Sequence, residues 1–207
     1  MDIRDEAMQL RNEKHQMIKT GLNAKMENSH DLAVVYTPGV AAPCLAIKEE
    51  EDKSLELTWR GNVVAVISDG TRVLGLGDIG PAAAMPVMEG KSALYKRFGN
   101  IDAIPIVLNT KDKDEIVRTI QILEKSFAGI NLEDFSSPKC YDIEDELKAT
   151  MNIPVFHDDQ HGTAVITLAG VINALKVVGK KMEDIKIVTS GAGAAGIAII
   201  RLLISMG

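Results

Sequence analysis

Cysteine is nearly absent from this chain: Cys44 and Cys140 are the only two in 207 residues. Two thiols cannot build a disulfide framework, so they read as reduced cysteines of a cytoplasmic protein. Basic residues are also in deficit, 23 against 29 acidic ones, for a net charge of -6. With aromatics at only 4% and no basic stripe, nucleic-acid binding is excluded as the first expectation. Long hydrophobic runs are missing as well. Gly, Asn, Lys or Thr interrupts each one well short of the roughly 18 apolar residues a membrane span needs. The opening Met1-Asp2-Ile3-Arg4-Asp5-Glu6 lacks the apolar core of a secretion signal. What remains, 46% hydrophobic and 25% charged, is the balance of an ordinary globular protein.

Short apolar runs that end in polar clusters are abundant instead. Residues 153–156 form such a run and stop at His157-Asp158-Asp159-Gln160-His161-Gly162. Residues 129–132 do the same and stop at Glu133-Asp134. Open α/β sheets present their ligand-binding groups at the carboxyl ends of strands. Two strand ends carrying paired acids require positive charge between them, and a divalent metal is the expected source. Clustered carboxylates with no cysteine nearby form a hard oxygen set suited to Mg²⁺ or Mn²⁺ rather than zinc. His157 and His161 are not needed as ligands and read as surrounding polar residues.

The rest of the chain alternates strands with helices. Residues 1–30 suggest one or two surface helices and an oligomer contact. Residues 32–36 read as an extended run closed by a turn at Thr37-Pro38-Gly39, presenting Tyr36. A short helix is expected over 40–51, a buried strand over 63–67, and a helix over 81–98 despite Pro86. Pro105 marks 101–108 as an edge strand. Residues 111–125 carry apolar side chains at amphipathic-helix spacing. A helix from Ser137-Pro138 to about 150 and another over 163–178, buried on several sides and stopped by Gly179, complete the alternation. The pattern predicts a mostly parallel sheet with helices on both faces. Residues 185–189 then read as a strand entering Gly191-Ala192-Gly193-Ala194-Ala195-Gly196 and a helix beyond. That is G-x-G-x-x-G in the strand–loop–helix setting that cradles a dinucleotide pyrophosphate.

Two further side chains stand out. Arg72, in a glycine-punctuated segment, is either a bidentate clamp for a substrate carboxylate or a surface Arg paired with an acid. Lys91 lies in the apolar stretch 85–94, where desolvation would depress its pKa and make it a base; the plainer reading is a surface lysine. Tyr36, on position alone, is a half-buried aromatic.

The ordered set Tyr36-Thr37-Pro38-Gly39-Val40, Ser68-Asp69-Gly70, Gly75-Leu76-Gly77-Asp78, Glu89-Gly90-Lys91, Asn131-Leu132-Glu133-Asp134 and Phe156-His157-Asp158-Asp159-Gln160-His161-Gly162-Thr163 resembles the malic enzyme family, in its shorter bacterial and archaeal form. The resemblance implies oxidative decarboxylation of L-malate to pyruvate and CO2 with NAD or NADP and Mg²⁺ or Mn²⁺. It implies metal ligands at Glu133, Asp134 and Asp159, a general base at Lys91, a general acid at Tyr36, and a carboxylate beside the lysine at Asp158. It places a substrate-binding arginine at Arg72 and cofactor contacts at 191–196. The expected architecture is α/β: a malate- and metal-binding domain over 1–157, then the first part of a Rossmann-type domain over 158–207, truncated before its ribose-binding acid. A homodimer or higher homo-oligomer is expected. Malolactic conversion, metal-dependent oxaloacetate decarboxylation, and a non-catalytic fragment are the competing expectations.

Overall fold

The computed structural model describes residues 2–206. Three helices lead in: α1 (Ile3–Lys14), α2 (Ser29–Val35) and α3 (Ala41–Glu49), followed by the single turn α4 (Ser54–Leu57). The alternating part then runs β1 (Val63–Ser68), α5 (Gly80–Gly99), β2 (Asp102–Val107), α6 (Lys113–Ile122), β3 (Gly129–Leu132), α7 (Lys139–Thr150), β4 (Val155–His157) and α8 (Asp158–Val178), with α9 (Ala194–Ser205) at the end. The four strands form one sheet in the order β2-β1-β3-β4, and every pairing is parallel. β2, the strand with Pro105, lies at the edge as expected, because proline has no N–H for a second neighbour.

Period-2 alternation sorts β1 between two cores. Val63, Ala65 and Ile67 face a layer made by Ile116, Val117 and Ile120 of α6 and Ile143 and Leu147 of α7. Val66 faces the opposite side, against Met88 of α5. A strand buried on both faces must be apolar throughout, which is why 63–67 contains no polar residue. The β1 end turns sharply at Gly70, whose φ of 70° is left-handed, and a side chain there would collide with the Gly80 carbonyl. Pro86 does not break α5. The Pro86 carbonyl accepts from Arg11 at 3.0 Å, and Arg11 also pairs with Glu89, so α1 is tied to α5.

Four expectations require correction. Residues 32–35 are helical rather than extended: the Asn28 side chain accepts from Asp31 N at 2.9 Å and caps α2, and this local bond outweighs the β preference of Val34-Val35. Residues 185–189 form no strand, since no neighbouring strand among the described residues offers a ladder partner. The α7 helix starts at Lys139, with Pro138 as its N-cap rather than Ser137. Finally, α8 begins at Asp158 and is not buried on several sides; only Gln160 and Ala164 are fully buried. Its apolar residues Val165, Ile166, Val177 and Val178 face outward because α9 is its main packing partner. By length and composition alone α8 could cross a membrane, but its first turn is bonded into the sheet end described next.

Candidate active site

The carboxyl ends of β3 and β4 bring together Glu133, Asp134 and Asp159, each offering an oxygen within 4.8 Å of the others. Two are separated from the third by a whole helix and strand, so the convergence is tertiary. Asp134 adopts a left-handed φ of 58°, which is costly for a non-glycine residue and typical of backbone held for a site. Its amide donates to Asp159 Oδ2 at 2.9 Å, and its Oδ2 is buried without a partner. An orphaned carboxylate oxygen is expensive unless a cation satisfies it.

The electrostatics point the same way. Burial pushes Glu133 up to about 7, outweighing the nearby Lys91 and Asn131. Burial, then Asp159, pushes Asp134 up to about 6. Asp159 is lowered: burial works against its charge, but the neighbouring His157, the Asp134 amide and Lys91 prevail. The site is short of positive charge, and a hard divalent ion fits this donor set.

Lys91 projects from α5 into the same place, 3.0 Å from Glu133 Oε1 and 2.6 Å from Asp158 Oδ2. It is therefore not a surface lysine. Nor is its pKa depressed, as its apolar neighbourhood suggested. Burial does penalise the ammonium, but Asp158 and Glu133 together overcome that and hold it well above the ordinary lysine range.

Arg72 sits on the loop after β1. Its amide donates to the Asp134 carbonyl at 3.0 Å, anchoring the loop beside the acids. Asp69, fully buried, accepts from Thr71 N at 3.1 Å and from Lys139, while Thr71 Oγ1 accepts from Ser136 N at 3.0 Å. The exposed Arg72 guanidinium donates to the Leu74 carbonyl at 3.1 Å and pairs with no acid among the described residues, so the surface ion pair does not form. Tyr36 is not joined to the cluster. It caps the end of α2, 66% exposed, and its hydroxyl has no hydrogen bond among the described residues.

The loop 190–193 is exposed and leads directly into α9, which begins at Ala194. Gly191 has a φ of 105°, and a Cβ on Gly196 would press on the Gly191 carbonyl, so the backbone at both positions favours glycine.

Four supporting residues were not anticipated. Asn131 donates to Glu133 Oε2 at 2.9 Å and accepts from the Tyr95 hydroxyl at 3.0 Å. Tyr95 lies one helical turn beyond Lys91 and Asn131 two residues before Glu133, so helix and strand periodicity would have put each on the right face. Gln160 and Glu144, both buried, back the histidines, as taken up below. Neither His157 nor His161 belongs to the three-acid group.

Comparison with known proteins adds the family. Residues 12–148 match the model of the malic enzyme N-terminal domain, and residues 160–206 match the malic enzyme NAD-binding domain. The chain belongs to the malic enzyme family. This malic-enzyme chain is 54% identical, over 98% of its length, to the bifunctional malic/malolactic enzyme of Bacillus subtilis, and covers 50% of that protein. It is 57% identical over 92% of its length to the NAD-dependent malic enzyme of Geobacillus stearothermophilus, covering 40% of it. The crystal structure of the NAD-dependent malic enzyme of Thermotoga maritima superposes with a TM-score of 0.94 at 47% identity, over 97% of this chain and 53% of that one. The chain thus spans about half the length of these relatives.

Proposed function

We propose that this chain supplies the malate- and cation-binding part of an enzyme that oxidatively decarboxylates L-malate to pyruvate and CO2 with NAD or NADP. The observation that carries the reading is the convergence of Glu133, Asp134 and Asp159 on one point, with Asp134 Oδ2 unsatisfied and Lys91 alongside. These three carboxylates would hold Mg²⁺ or Mn²⁺, which would supply Lewis acidity for the oxidation and decarboxylation. The nicotinamide supplies hydride acceptance, and the loop 191–196 with the α9 N-terminus would hold its pyrophosphate.

The other roles fall to side chains of the chain. Lys91 takes the proton of the C2 hydroxyl. It can do so once another cation replaces its ammonium as the counter-charge of Glu133, leaving Asp158 to orient it. Arg72, its guanidinium free of acidic partners, binds a malate carboxylate bidentately. Tyr36 returns a proton to C3 after CO2 has left, and its exposed hydroxyl is available for that role. The boundary between the two domains is placed at 157/158, which the matched ranges ending at 148 and starting at 160 support. A cytoplasmic homo-oligomer completes the reading. Exposed apolar residues on the leading helices, Leu10, Leu32, Val34 and Leu45, favour a second copy, and the net charge of -6 disfavours nucleic acid.

Lys91→Ala should abolish malate-dependent reduction of NAD(P) while the chain still binds Mn²⁺, read by loss of the free-Mn²⁺ paramagnetic resonance signal. Glu133→Gln should instead abolish the Mn²⁺ binding. Unchanged turnover in the first, or unchanged Mn²⁺ affinity in the second, removes the residue from its role. The Bacillus relative's name makes malolactic conversion the second reading. Lactate rather than pyruvate as product would decide for it.

A further inference from the structure

His157 is fully buried at the end of β4, between the proposed cation site and a second polar cluster on α7. Its Nδ1 lies 2.9 Å from Gln160 Nε2. The same Gln160 nitrogen lies 2.9 Å from Glu144 Oε2. Glu144 is buried, and it also takes Lys148 Nζ at 2.6 Å and His161 Nε2 at 2.7 Å.

Donor and acceptor logic runs one way through this chain of groups. A carboxylate paired with Lys148 can only accept, so Gln160 must turn its NH2 toward Glu144; the carbonyl would meet it with repulsion. An amide nitrogen can only donate, so His157 Nδ1 must accept and carries no proton. The ring proton is then on Nε2. That atom is buried without a hydrogen bond, and Asp159 Oδ2 is 3.3 Å away. Asp159 Oδ2 already accepts the Asp134 amide at 2.9 Å. Oδ2 thus faces two donors, the bonded Asp134 amide and the nearby but unbonded Nε2–H, which leaves Oδ1 for the common point shared with Glu133 and Asp134.

We propose that Glu144, acting through Gln160, fixes the ring tautomer of His157 so that Nε2–H is turned on Asp159, making Glu144, Gln160 and His157 positioning residues for that carboxylate. The role in cation binding rests on the reading given above. Outer groups of this kind hold a ligand's orientation, and losing one typically weakens metal affinity 10–100-fold.

The test is a long-range ¹H–¹⁵N imidazole spectrum of the cation-free chain, with a Mn²⁺ titration followed by paramagnetic resonance. The expected wild-type spectrum shows His157 with a protonated Nε2 and a bare Nδ1. Gln160→Met, which removes the donor at similar length, should lose that single tautomer and raise the Mn²⁺ dissociation constant about tenfold or more. Glu144→Gln, a near-isosteric change that lets the amide turn either way, should give mixed tautomers and a smaller loss. A proton on Nδ1 in the wild type overturns the relay. So does retention of both tautomer and affinity in either folded variant. If the Nε2–H tautomer is present and the wild-type chain binds no Mn²⁺, the cation reading falls while the orientation of Asp159 by the relay stands.

Discussion

Gly162 lies one turn into α8, where Asp158 folds its carboxylate back across the helix on its way to Lys91. A Cβ at 162 would collide with that carboxylate. In an open helix interior alanine would be favoured over glycine by roughly 1 kcal/mol. Here Gly162→Ala should give no such gain, because the side chain displaces Asp158 from the ammonium it holds at 2.6 Å. The Lys91 ammonium should then titrate closer to the ordinary lysine range, read from the ¹³C resonance of the dimethylated side chain across a pH series. A stabilised variant with an unmoved Lys91 resonance would show that Asp158 keeps its grip without the space glycine provides. The same position shows why the residue scale is only partly legible in sequence. The apolar stretch around Lys91 pointed to a depressed pKa, whereas two acids distant in sequence determine the opposite direction.

At the scale of elements, the sheet carries the stability. Ile120 of α6 is fully buried against β1 and its neighbours. Ile120→Ala should cost about 2–5 kcal/mol, measured as a lowered urea midpoint at unchanged slope. Ile166 on α8 is 69% exposed, so Ile166→Ala should stay within about 0.5 kcal/mol. Equal losses at the two positions would mean that α8 is covered in solution. This contrast tracks what could be read beforehand. The strands β1 and β3, the edge position of β2 and the span of α5 all followed from apolar runs and proline placement, because each is decided by the burial of its own residues. What failed was decided by neighbours. Residues 185–189 have strand chemistry but no partner, and α8 has core composition but one main packing partner. The α2 helix failed differently: a local cap, Asn28 on Asp31, overrode two β-branched residues. In the site, the three acids and Lys91 were legible from strand-end spacing and family motifs. The relay through Gln160 to Glu144 was not, since it joins α8 to α7 across 16 residues of sequence.

For the molecule as a whole, the crowding of acids links folding to pH. Glu133 rises from 4.5 to about 7 and Asp134 from 3.8 to about 6 on folding, both chiefly through burial. A carboxyl whose pKa is higher in the folded state stabilises the fold in its protonated form. That contribution is fully present below the unfolded value and is lost as pH rises through the folded one. Asp159 is lowered, so its contribution acts the other way, but only below its ordinary value of 3.8 and thus beneath this window. In the presence of a chelator, the chain should therefore lose stability as pH climbs from about 4.5 to about 7, by an amount on the order of 5 kcal/mol. A divalent cation that binds only the folded, ionised acids must reverse the trend, because its binding free energy adds to stability where the protons have left. Urea midpoints taken across that range, with chelator and then with millimolar Mn²⁺, give the two slopes directly. Opposite slopes are the expected result. Parallel ones would mean that the buried acids find their counter-charge within the chain, and that Lys91 alone is sufficient to hold them.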